Sequence, residues 1–237
     1  MTVRRRTRAG GIVVLLATMA AGCTAAGGQD VSAAQRGVSE IPSTTATVPV
    51  PPPPPARSVH EQAWTPFAAV GGVVLRHPSA RVERIGYHQS NHDGARGFEP
   101  LPTSAPQLTL DARELRATSG RTAADVMIDP EVEVRSPVSG RVKFAGTYVL
   151  YCDYRDDFVV IAPDDRPAWE VKVLHIDGVA VRSGDRVQAG ETVIAPRPTR
   201  LPFDSQVEET SARPAWPHVH IEVIDPSIRD IPNGKGC

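Results

Sequence analysis

The sequence predicts a mostly β protein, an antiparallel sandwich or barrel, and three observations carry that prediction. Apolar residues recur in short runs with period two, as Val219, Ile221 and Val223 do in Pro217-His218-Val219-His220-Ile221-Glu222-Val223, the alternation of a half-buried strand. Turn pairs punctuate these runs at Ser139-Gly140, Asp164-Asp165, Gly184-Asp185 and Gly190-Glu191. Proline (23) and glycine (19) are frequent while aromatic residues make up 5% of the 237, which suits many short strands better than a helical bundle. Lys plus Arg (26) nearly balance Asp plus Glu (27), for a net charge of -1, and that argues against nucleic acid as a partner.

Taken in order, the chain opens on Arg4, Arg5, Arg6 and Arg8 ahead of an apolar stretch over residues 12–21. The stretch is too short to span a bilayer and suits the core of a secretory signal, so residues 1–23 are expected to direct export. Ala20-Ala21-Gly22 before Cys23 resembles a bacterial lipobox, with alanine where leucine is usual. That resemblance implies acylation of Cys23 and an extracytoplasmic protein anchored to the cell membrane. Residues 24–60 hold small and polar residues and then five prolines, 51–55. With almost nothing to bury, this segment is expected to be a disordered stalk with a polyproline II stretch.

Residues 61–118 form an N-terminal extension of the folded part. Runs at 72–75 and 80–85 read as strands flanking a turn at His77-Pro78-Ser79, followed by a polar loop with His88, Asn91, His92 and Asp93. The loop is a candidate site or an ordinary exposed loop. Residues 119–237 form the β domain, with strands expected over 124–128, 132–135, 140–144, 158–161, 169–176, 192–194 and 218–223. On the last of these, His218, His220 and Glu222 share one face and the three apolar residues the other, so one strand carries both core and chemistry. His175 shares a face with Val171 and Val173 by the same alternation, which by itself suits a core histidine. Asp125 by itself suits a turn cap.

Four segments in order, Val134-Arg135-Ser136-Pro137-Val138-Ser139-Gly140-Arg141-Val142, Val173-Leu174-His175-Ile176, the run from Val181 through Gly184-Asp185 and Gly190-Glu191 to Ile194, and His218-Val219-His220-Ile221-Glu222-Val223, resemble the lysostaphin-type (LytM-like) zinc endopeptidases. The Gly-Asp and Gly-Glu turns occur in lipoyl-like sandwiches as well; the His-x-His strand is the specific part. The resemblance implies a β-sandwich of duplicated hybrid motif and an activity against peptide cross-links in peptidoglycan. Residue by residue, it implies zinc ligation by Asp125 and His220 and catalytic roles for His175 and His218. Glu222 would steady a neighbouring group.

One position departs from the family. The first zinc histidine should stand four residues before Asp125, and Arg121 stands there. A catalytic zinc needs three protein ligands and an open position. Three outcomes follow: His88 or His92 completes the site; the Arg121 guanidinium replaces the metal against Asp125, leaving a degenerate domain that binds peptidoglycan or activates a cell-wall amidase; or the register is shifted, with Asp129 as the rival aspartate. With Cys23 acylated, Cys152 and Cys237 remain in an oxidising compartment and are expected to form a disulfide.

Overall fold

The computed structural model describes residues 56–62, 64–114, 116 and 118–231, all within the unit Pro51–Cys237. The predicted signal, Cys23, most of the predicted stalk, and Cys237 with its expected bond to Cys152 lie outside the described residues. Along the chain come β1 (His60–Glu61), β2 (Pro66–Val70), β3 (Val73–Arg76), β4 (Arg81–His88), β5 (Glu99–Pro100), β6 (Gln107–Thr109), β7 (Ala123–Ile128) and β8 (Val134–Arg135). Then follow β9 (Gly140–Leu150), β10 (Tyr154–Pro163), β11 (Glu170–Asp177), β12 (Arg186–Val187), β13 (Val193–Ala195), β14 (Arg197–Pro198), a single-turn helix α1 (Gln206–Glu209) and β15 (His218–Ile224). The fold is mostly β, as expected.

The large sheet runs β1-β4-β7-β15-β11-β10-β9-β12, with β14 beside β11 and β6 beside β4. Its pairings are antiparallel except for β6 on β4. Two smaller sheets, β3-β2-β5 and β13-β8, complete the fold. Alternation decides what lies between the layers: Ala124, Val126 and Ile128 of β7, Val219, Ile221 and Val223 of β15, and Val171 and Val173 of β11 join Phe67, Val70, Val73 and Leu75 of the small sheet in one buried core. Each such aliphatic side chain contributes roughly 1.5–3 kcal/mol by leaving water. That burial fixes the register, because a slip by one residue would turn the whole apolar set outward.

The other face of the large sheet carries Asp125 and Met127 on β7, Gly86 and His88 on β4, and His218, His220 and Glu222 on β15. Part of it is covered by α1 and residues near it, where Leu110, Met127 and Val207 form a second apolar cluster. Gly86 permits that cover: a Cβ there would lie 2.8 Å from Val207 Cγ2 and 2.9 Å from Leu110 Cδ1. The uncovered part is an open groove.

Three features differ from the sequence reading. The strands flanking His77-Pro78-Ser79 enter different sheets, β3 beside β2 and β4 beside β7, because His77 turns inward. Its Nδ1 lies 2.7 Å from Thr65 O and its Nε2 3.2 Å from Thr103 Oγ1. Strand β4 runs on through His88, so His88 is a strand residue rather than a loop residue. Finally, the end of the segment read as stalk is bound to the folded part: Arg57 Nε pairs with the buried Glu83 at 3.0 Å, and His60 pairs with Val82 on β4. The extension and the β domain share one sheet, since β4 and β7 are neighbours.

Candidate metal centre

Three adjacent strands bring three ligand atoms together. Asp125 and His220 are directly opposite in the β7–β15 ladder, and Gly86 is opposite Asp125 in the β4–β7 ladder. His88, two residues beyond Gly86 on the same face, is therefore a diagonal neighbour of Asp125, within reach of an imidazole. Asp125 Oδ1 lies 2.8 Å from His220 Nδ1 and 3.1 Å from His88 Nε2. One ligand atom from each of His88, Asp125 and His220 falls within 4.8 Å of the other two.

The proton arrangement fits a cation at this point. His88 Nδ1 is 2.9 Å from Gln89 O, a group that only accepts, so Nδ1 carries hydrogen and the Nε2 lone pair of the neutral ring faces a carboxylate oxygen. His220 is in the same position, with Nε2 2.8 Å from Glu222 Oε1 and Nδ1 2.8 Å from Asp125 Oδ1. Neutral imidazoles cannot donate on both sides. A divalent ion among the three facing atoms resolves both conflicts and leaves Nδ1–H of His88 and Nε2–H of His220 bonded to Gln89 O and Glu222, the outer partners that orient metal-bound histidines. Two imidazole nitrogens and one carboxylate oxygen form a zinc donor set with a position left for substrate or water.

Without a metal, protons supply the compensating charge. Burial disfavours a charged His220, but its hydrogen bonds to Asp125 and Glu222 outweigh that and push its pKa up to about 10. Burial likewise opposes ionisation of Asp125, yet the charges of His88 and His218 and the hydrogen bonds from His220 and His88 hold it well below the usual carboxylate range. Glu222 is lowered to about 2, its own burial being overcome chiefly by His220. Ser90 Oγ donates to the other oxygen of Glu222 at 3.0 Å.

His218 and His175 stand beside this trio. His218 Nε2 is 3.7 Å from Asp125 Oδ1 and its Nδ1 is 2.8 Å from Glu208 Oε1. The His175 ring lies 4.9 Å from that of His218 and 5.8 Å from that of His220, centroid to centroid. Strict alternation would put His175 in the core with Val173. The β10–β11 register shifts at this point, from Phe158 opposite Leu174 to Asp157 opposite Ile176, and His175 takes a left-handed φ of 62°. The bulge turns its side chain into the groove and returns Ile176 to the core. Asp156 locks it there, with Oδ2 2.7 Å from His175 Nδ1 and 3.2 Å from its backbone nitrogen.

All five residues line a groove of about 720 Å³, together with Asn91, Tyr148, Tyr151 and Phe203. The other candidates fall elsewhere. His92 bonds the backbone nitrogen of Gly94 through Nδ1 at 3.0 Å and approaches Asp230, so of the two candidates only the strand residue His88 joins the trio. Arg121 is exposed, precedes β7, and donates Nε to Thr109 Oγ1 at 3.0 Å; it does not take the place of a metal against Asp125. Asp129 pairs with Arg81 and is not one of the three converging residues. Cys152 lies in the turn between β9 and β10 and is not one of them either. The sequence reading missed Asp156, Ser90 and Glu208. Only Glu208 left a local trace, as the last residue of Ser205-Gln206-Val207-Glu208, a helix-capping pattern.

No family model matches the chain, and no curated protein matches it. Several solved structures are similar, two of them as follows. The solution structure of lysostaphin is 18% identical with a TM-score of 0.34, the likeness covering 48% of this chain and 41% of that one. The crystal structure of a zinc-containing peptidase from Vibrio cholerae is 18% identical with a TM-score of 0.32, covering 72% of this chain and 46% of that one. The chain thus spans less than half the length of each.

Proposed function

We propose that this chain is a zinc-dependent endopeptidase acting on peptide cross-links of peptidoglycan, exported and held outside the cell membrane through an acylated Cys23. The observation that supports it is the convergence of His88 Nε2, Asp125 Oδ1 and His220 Nδ1 in a groove that also holds His175 and His218. Bound to those three residues, zinc would supply Lewis acidity, polarising a peptide carbonyl and making a water acidic enough to react near neutral pH. The chain's own groups provide the rest. His88, Asp125 and His220 are fixed by strand pairing, so the centre is pre-organised.

Hydrolysis adds the oxygen of water to the carbonyl carbon, breaks the C–N bond and delivers a proton to the departing amine. Two imidazoles in the groove suit that traffic. Asp156 keeps hydrogen on His175 Nδ1, and among the described residues His175 Nε2 has no protein partner, which leaves it to exchange a proton or to hydrogen-bond the developing oxyanion. His218, with Nδ1 against Glu208, presents Nε2 toward the trio for the complementary role. The exported location and the Pro-rich segment ahead of residue 56 suit a substrate outside the membrane.

Metal analysis of the purified protein beside a sacculus digestion assay tests this. The wild type should carry about one zinc per chain and release soluble peptide, whereas His88→Ala and His220→Ala should lose both properties. A metal-free and inert wild type would end the enzyme reading.

A further inference from the structure

At the mouth of the groove the chain places aromatic rings outside the core, Tyr151 and Tyr154 exposed and Phe203 half-buried. Three of the four tyrosines, Tyr148, Tyr151 and Tyr154, lie on the β9–β10 hairpin. Tyr151 is 61% exposed and Tyr154 36%. Phe203 sits between them, its ring centroid 5.7 Å from Tyr151 and 5.4 Å from Tyr154, inclined by 49° and 56°. Tyr151 and Phe203 line the same groove as the histidines.

The turn that presents Tyr151 is strained. Residues 151–153 link Leu150 to its strand partner Tyr154; within that loop Asp153 N donates to Leu150 O at 3.1 Å, and the two residues between them have left-handed φ, 52° at Tyr151 and 67° at Cys152. That is the pattern of a type I′ turn, whose central positions favour Asn-Gly because a Cβ is unfavourable there. A tyrosine at the first of them opposes the local preference and adds exposed apolar area. Backbone strain kept at the rim of a site points to a role for the side chain it presents.

We propose that Tyr151, Tyr154 and Phe203 form a saccharide subsite, which holds a sugar ring of the glycan strand while the attached peptide enters the groove; this rests on the reading of the groove as a peptidoglycan site. The chemistry is matched. A pyranose ring has C–H faces that pack on aromatic faces and hydroxyl edges that bond phenol oxygens, and two of the three rings here carry such oxygens.

The test uses the full-length protein, metal-free and zinc-loaded, titrated with tetra-N-acetylchitotetraose and separately with a glycan-free cross-linked stem peptide, followed by aromatic NMR resonances. The saccharide should shift the Tyr151, Tyr154 and Phe203 signals with or without zinc. Tyr151→Gly should weaken that binding about fivefold, on the scale of a single aromatic contact. The same variant relieves the left-handed strain, so it should also melt at a higher temperature than the wild type, which excludes misfolding as the cause of weaker binding. Rings that ignore the saccharide, rings that respond only to the glycan-free peptide, or unchanged affinity in Tyr151→Gly would each overturn the proposal. Saccharide binding by an inert, zinc-free protein would sink the peptidase reading and leave the subsite standing; sacculus digestion without saccharide binding would do the reverse.

Discussion

A single carboxylate, that of Glu208, secures both a helix end and an imidazole. Its Oε2 accepts from the backbone nitrogen of Ser205 at 2.9 Å, closing the capping box of α1, while its Oε1 holds His218 Nδ1 at 2.8 Å. The two duties separate by mutation. Ser205→Ala removes a cap and a longer contact, 3.4 Å from Ser205 Oγ to His218 Nδ1; it should cost about 1 kcal/mol of stability and lower hydrolysis by less than Glu208→Ala does, because the 2.8 Å carboxylate contact to the ring remains. Glu208→Ala should cost a similar amount of stability but lower kcat by about 10- to 100-fold, the usual penalty for losing a group that orients a histidine at a metal centre, with the zinc content unchanged. Equal activity losses in the two variants would mean that Glu208 acts only through the helix. His77 makes a different residue-scale prediction. Burial, partly offset by the Thr65 carbonyl, lowers its pKa below the ordinary imidazole value of 6.5. The unfolded chain therefore takes up the proton first as pH falls, so the contribution of the buried neutral ring is complete above about pH 6.5 and is lost below it. In denaturant titrations the advantage of wild type over His77→Gln should shrink from pH 7 to pH 5; a constant gap would contradict this.

At the scale of the element, β9 offers a contrast between two glycines in one strand. A Cβ on Gly140 would lie 2.2 Å from the backbone oxygen of Ala162, whereas nothing comes within 4 Å of one on Gly146. Gly140→Ala should therefore cost roughly 1–3 kcal/mol through overpacking. Gly146→Ala should be neutral or gain up to about 1 kcal/mol, because it restricts the unfolded chain without a clash; thermal melts of the two variants read the difference. Strands also show what the sequence could and could not disclose. The alternation of Val219, Ile221 and Val223 fixes the faces of β15, so the placement of His218, His220 and Glu222 together was legible. Asp125 alone suited a turn cap, and only the resemblance to the lysostaphin-type pattern, counted back from the Ser136-to-Gly140 turn, implied that it is a ligand. His88 could not be reached that way, because it comes across from a neighbouring strand, and the pairing of β4 with β7 leaves no fixed spacing in the chain. The groove-facing pose of His175, implied by the resemblance, was hidden from the strand alternation for another reason: the residue at the bulge is not glycine, the usual mark of a left-handed position.

For the whole molecule, the trio joins distant parts of the chain: His88 and Asp125 are 37 residues apart and Asp125 and His220 are 95 apart. A metal held by all three binds only when β4, β7 and β15 are paired, so its binding free energy adds to folding free energy. At a free zinc concentration one hundred times the dissociation constant, the native state should gain about 2.7 kcal/mol. The melting temperature should rise with zinc and return to the apo value when a chelator is added. His88→Ala should abolish the rise. Arg121→Ala should leave it intact, even though position 121 is where the lysostaphin-type pattern expects a ligand, because the Arg121 side chain faces Thr109 and not Asp125. A zinc-dependent rise that survives in His88→Ala but disappears in Arg121→Ala would mean that the ligand lies along the chain before Asp125 and not across the sheet from it, and the assignment of the centre to β4, β7 and β15 would fail.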